Sequence, residues 1–76
     1  MKKLKYPEIG QYVLVTKFSD KDPIDPWYIG FVNYVRCDNN VYSCRVEGST
    51  RLWNNFFSLT KKEGDAWLSK YGNGRT

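Results

Sequence analysis

The segment Trp27-Tyr28-Ile29-Gly30-Phe31-Val32-Asn33-Tyr34-Val35-Arg36 is apolar on both of its alternating faces. Successive side chains of a strand point to opposite sides of the sheet. Trp27, Ile29 and Phe31 therefore share one face, and Tyr28, Val32 and Tyr34 share the other, with Gly30 as a bend or bulge between them. Such a strand has to be covered on both sides. The second cover is a C-terminal helix, another subunit or a ligand.

The supply of apolar side chains makes the same demand. Residues 6–60 hold 25 hydrophobic side chains. A barrel of five short strands turns only about 12 to 15 of them inward. Some of the remainder seat a helix. The others lie on the surface, where a large uncovered patch is unusual for a monomer. A homo-oligomer is expected on this ground.

The rest of the chain reads as short strands and tight turns. Residues 1–5 form a loose basic tail. Gln11-Tyr12-Val13-Leu14-Val15-Thr16 is a β-branched and aromatic strand. Ser19 to Pro26 is a loop, because two prolines and three aspartates disfavour a ladder. Asn39-Asn40 suits a primed hairpin turn, since asparagine tolerates positive φ. The strand returns over residues 41–47. Gly48-Ser49-Thr50 turns into Arg51-Leu52-Trp53, residues 54–56 form a single helical turn, and Phe57-Ser58-Leu59 is a short last strand.

The spacing predicts a helix over 61–71. Thr60-Lys61-Lys62-Glu63 is a capping box, in which hydroxyl and carboxylate satisfy each other's backbone amides. Gly64, Trp67, Leu68 and Tyr71 fall on one helical face, and Gly72 is a natural stop. The fold class is mainly β: a small five-stranded SH3-like barrel over 6–60, with one C-terminal α-helix packed on it and a tail over 72–76.

Composition narrows the chemistry. There is no histidine, so the commonest general base and metal ligand are missing. The five serines have no histidine to activate them, and no phosphate-binding glycine loop is present. Cys37 and Cys44 cannot form a tetrahedral zinc site by themselves. The hairpin places Cys44 opposite residue 34 or 35, so the two read as buried thiols rather than a disulfide. Asp20, Asp22 and Asp25 miss the spacing of an EF-hand. No enzyme, cofactor or metal is expected. No apolar run resembles a signal peptide or a membrane span, which points to the cytoplasm.

The net charge of +4 is uneven. Lys2, Lys3 and Lys5 contribute +3 and residues 61–76 contribute +2, which leaves −1 on residues 6–60. The basic excess lies on the ends. Lysines there could touch phosphates, yet a solubilising role explains them equally well.

The order Gly-x-Tyr-Val-Leu-Val, loop, Trp-Tyr-x-Gly-x-Val, hairpin, strand, turn, strand resembles the Tudor and SH3-like layout over residues 10–59. In Tudor-like barrels, aromatics at the start of the second strand and near the later turns line a recognition pocket. That resemblance assigns Trp27 and Tyr28 to the first region and Trp53 to the second. Separately, Asp20-x-Asp22-Pro23-x-Asp25-Pro26-Trp27-x-x-Gly30-Phe31, with Asn55-Phe56 and Thr60-x-x-Glu63-Gly64, resembles small uncharacterised phage and prophage accessory proteins. It assigns no site.

The candidate binding residues are Trp27, Tyr28, Arg51, Trp53, Phe18 and Asn55. Indole and guanidinium planes stack on bases or anchor protein interfaces. Trp27 and Trp53 are equally suited to cap a small core. The expected function is a non-enzymatic, phage-type accessory or counter-defence protein that works by occupancy, binding a host protein or a small nucleotide. The alternative is a non-specific binder of single-stranded nucleic acid.

Overall fold

The computed structural model describes residues 2–16 and 27–71. Expectations for residues 17–26, Phe18 among them, and for 72–76 lie outside this range. The described elements are β1 (Lys2–Leu4), β2 (Tyr12–Thr16), β3 (Trp27–Asp38), β4 (Val41–Val46), β5 (Asn55–Ser58) and α1 (Lys61–Tyr71). The five strands form one antiparallel sheet in the order β1-β5-β2-β3-β4. The ladder does not close into a complete barrel. A bridge, in which Cys44 and Trp53 exchange backbone hydrogen bonds of 2.9 and 2.8 Å, ties β4 to the segment before β5.

β3 holds the sheet together. Its first half pairs with β2, from Thr16↔Trp27 to Tyr12↔Phe31, and its second half pairs with β4. The strand shifts register between Val32 and Tyr34, so the bulge falls at Asn33 and not at Gly30. Gly30 stays in register opposite Val13. Its role is close approach: a Cβ there would lie 3.0 Å from the Glu47 carbonyl oxygen. The β3–β4 turn is the expected primed hairpin, with Asn39 and Asn40 at φ 49° and 66°.

Three expectations for the chain ends of the sheet are corrected. Residues 2–4 are not a tail but the edge strand β1, paired from Lys2↔Ser58 to Leu4↔Phe56. Arg51–Trp53 is not a strand and contributes only the bridge at Trp53. Residues 54–56 do not make a helical turn, because Asn55 and Phe56 are extended in β5. Phe56 explains the outcome. It is buried between Val15 on one neighbour and Leu4 on the other, and that pairing overrides the turn propensity of Asn54-Asn55.

Two apolar layers result. The inner face gathers Val13, Val15, Val32, Cys44, Val46, Trp53 and Phe56. The outer face carries Trp27, opposite Thr16, and is covered by α1. Trp67 and Tyr71 meet the Trp27 ring edge-on at centroid distances of 5.9 and 6.5 Å. The helix is therefore the second cover at the Trp27 end of β3, while Phe31 and Tyr34 further along stay exposed. The capping box forms as expected: the Glu63 N–H donates to Thr60 Oγ1 at 3.1 Å, and the Thr60 N–H donates to Glu63 Oε1 at 2.9 Å.

Gly64 sets how closely the helix sits. It is buried, and a Cβ there would come within 2.8 Å of the Tyr12 Cζ. Gly64→Leu raises helix propensity by nearly 1 kcal/mol yet forces the helix from its seat, an overpacking cost of about 1–3 kcal/mol. The expected result is a lower denaturation midpoint despite the better helix former. A midpoint at or above that of the parent would show that the helix does not dock through this turn.

Candidate functional site

The structure separates the sequence-derived candidates into two groups. Trp27 and Asn55 lie on the outer face, in the row Trp27–Thr16–Asn55 across β3, β2 and β5. Asn55 is held there by its Nδ2, which donates to Thr16 Oγ1 at 2.8 Å. Tyr28, Arg51 and Trp53 gather around the turn 48–51. The Tyr28 hydroxyl fills the space beside Gly48, where a Cβ would lie 2.5 Å from it. The Trp53 Nε1 donates to Ser49 Oγ at 3.3 Å, and the Arg51 guanidinium lies 5.5 Å over the Trp53 ring.

Neither indole is exposed in the folded chain. Trp27 is 1% exposed and Trp53 is 0% exposed. Of the two readings open for these residues, the core is the one their surroundings satisfy: α1 covers Trp27, and the inner layer with Arg51 above it covers Trp53. Sequence could not decide this, because the covering partners lie far along the chain. Among the described residues, the large apolar side chains that remain exposed are Tyr6, Ile9, Phe31, Tyr34, Val41 and Tyr71. Phe31 stacks on Tyr12 with centroids 5.0 Å apart, and Arg45 lies 5.1 Å over Tyr34. Glu47 accepts a hydrogen bond from Asn33 Nδ2 at 3.2 Å.

The more open site lies where the sheet fails to close. A groove of about 290 Å³ runs between β1 and β4, the outermost strands. Lys3, Leu4 and Lys5 make one wall, Asn40, Val41 and Tyr42 the other, and residues 54–56 the back. Among the described residues no carboxylate lines it. Leu4, Tyr42 and Phe56 belong to the inner layer and make its floor apolar. Lys3 reaches the outer face, its Nζ 6.0 Å over the Phe57 ring. Tyr42 stacks with the exposed Tyr6 at 5.6 Å. Asn55 is the one candidate from the sequence that borders this groove. Lys3, Lys5, Asn40 and Tyr42 were missed because the first five residues do not read as a strand, so nothing placed them opposite the hairpin.

Backbone geometry adds a further feature. Hydrogen-bonded and non-bonded pairs alternate along an antiparallel ladder. Cys44 turns its N–H and C=O away from β3 toward Trp53, so Tyr42, two residues earlier, turns its own the same way. No described backbone group pairs with them. An edge of this kind is a template for another strand.

The cysteines flank this wall differently. Cys44 is buried opposite Val35, while Cys37 is exposed opposite Tyr42, so only one of the two is the buried thiol expected. Burial pushes the Cys44 thiol up from 9.0 to about 12. The nearby Cys37, through its charge and then its hydrogen bond, holds the Tyr42 phenol above its usual range. A thiol reagent at pH 8 is expected to modify Cys37 at once and Cys44 only on unfolding. The raised Cys44 value also means that the folded state holds its proton more tightly. Its stabilising contribution is complete below pH 9.0 and is lost as pH rises toward about 12. Rapid modification of both thiols in the native protein would contradict the packing.

Among the described residues, no three of His, Cys, Asp and Glu gather to hold a metal ion. No described helix is long and apolar enough to cross a membrane. No protein family, curated protein or solved structure matches this chain.

Proposed function

We propose that the chain is a non-enzymatic, phage-type accessory or counter-defence protein of the SH3-like class, acting by occupancy in the cytoplasm. It binds a host protein or a small nucleotide and withholds it from other partners. The observation that carries this reading is the open seam between β1 and β4: an apolar floor, two bordering lysines, no carboxylate among the described lining residues, and outward backbone groups at one wall that no described backbone group meets. Its volume of about 290 Å³ lies at the small end of ligand pockets, which suits a short segment or a mononucleotide. Self-association fits the same reading through Phe31 and Tyr34, which stay 55% and 42% exposed beyond the helix. Native mass spectrometry of the protein, alone and after incubation with bacterial lysate, tests it. A complex that fails to form when Leu4→Glu places a charge on the groove floor is the expected result. A bare monomer in every sample would overturn the proposal.

A second reading, binding of single-stranded nucleic acid, has one observation in its favour: Lys3 and Lys5 border the same groove as the Tyr42 ring. Two phosphate contacts on a single strand give a salt slope of about −1.4, so affinity falls about sevenfold between 50 and 200 mM salt. A fluorescence titration with oligothymidylate that stays flat at 50 mM salt would dispose of it.

A further inference from the structure

We infer that the seam accepts an extended, acidic peptide segment as a sixth strand, added to the outer edge of β4 at Tyr42. This rests on the seam being the binding site, and it names the partner as a protein with alternating acidic and apolar residues.

Strand direction comes first. Every adjacent pair in β1-β5-β2-β3-β4 is antiparallel, so β1 and β4 run the same way. Closing the sheet by joining them directly would need a parallel pair, the less stable kind. One inserted strand running against both restores the alternation throughout. The seam is thus shaped for a strand, and the alternation fixes that strand's direction.

The hydrogen bonds come next. Tyr42 presents an outward N–H and C=O, which one peptide residue can satisfy together. The bridge from Cys44 to Trp53 blocks the edge two residues further on. Only a short stretch centred on Tyr42 is open, and the groove has room for no more.

Side-chain preference follows from the two faces. A guest residue beside Tyr42 on the inner side meets Leu4 and Phe56, so it is apolar. Its neighbours point to the outer side, where Lys3 stands over Phe57 and the exposed Lys5 follows in the chain. The described lining holds no carboxylate, and the exposed Lys5 favours acidic neighbours there. Main-chain bonds supply affinity and alternate side chains supply selection, as in other strand additions.

The test uses two synthetic pentapeptides, one alternating glutamate with valine and one alternating lysine with valine, and a nucleoside triphosphate as third probe. Amide exchange and chemical shifts of the full chain are followed by NMR. The expected result is at least tenfold slower exchange at the Tyr42 amide with the glutamate peptide and no change with the lysine peptide. Lys5→Glu, at an exposed position, should weaken the glutamate peptide about tenfold and admit the lysine peptide. Equal binding of both peptides would overturn the acidic preference. Shifts around the groove without protection of Tyr42, or shifts with the nucleotide alone, would overturn strand addition while the seam stands as the site. Silence from all three probes, together with a bare monomer in lysate, would remove the site as well.

Discussion

Trp53→Ala is expected to unfold the protein rather than disable a surface. The indole is fully buried against Val13, Val15, Cys44, Val46 and Phe56. Truncating such a side chain costs about 3–5 kcal/mol, transfer and cavity together. A domain of this size has only about 4–11 kcal/mol in total. The variant also loses the bond from Nε1 to Ser49 and the ring beneath Arg51. It removes support from the bridge that ties β4 to the approach to β5. Urea titration followed by circular dichroism is the measurement, with Arg51→Ala as comparison. The exposed Arg51 contributes about 0.5–1 kcal/mol through its ring contact, so its midpoint should move little. If Trp53→Ala kept the parent midpoint but lost a partner, the indole would be a contact surface after all.

Much of the fold is legible in the sequence, and the reason is local. The hairpin needs two residues of positive φ, and Asn39-Asn40 supplies them within the turn itself. The helix carries its own start signal at Thr60 and Glu63 and its own apolar stripe, and its bounds come out as Lys61–Tyr71. The alternation of Trp27 to Tyr34 shows that two covers are needed, although not which. β1 is the opposite case. Lys2-Lys3-Leu4 has no strand propensity of its own, and it becomes a strand because β5 offers an edge and Leu4 meets Phe56 there. The bulge at Asn33 is likewise set from outside, where β3 exchanges β2 for β4.

The site follows the same division. Which aromatics are large is plain in the sequence, but which of them are sealed depends on contacts between distant segments. Trp27 waits for a helix some forty residues later, and Trp53 for the whole inner layer. The seam was invisible for a related reason. It is made by what two edge strands leave unpaired, and β1 announces itself by no motif. Asn55, a candidate from the sequence, reaches the groove through its place in β5.

Trp27→Ala should separate the two layers. The cost is again about 3–5 kcal/mol, of which the ring contacts with Trp67 and Tyr71 account for about 0.5–1.5 kcal/mol each at most. Its location gives a different signature from Trp53. The inner layer does not contain Trp27, whereas α1 rests on it. An isolated helix of 11 residues is marginal in water, so one without its seat should fray. Amide exchange in α1 is therefore expected to become fast while the β3–β4 hairpin keeps its protection. The helical signal should melt before the sheet, breaking two-state behaviour. Trp27→Phe retains a ring for Trp67 to meet and should recover most of the loss. If helix and sheet of Trp27→Ala still melt together at the parent midpoint, the helix is held by other contacts, with the Gly64–Tyr12 approach the first to test.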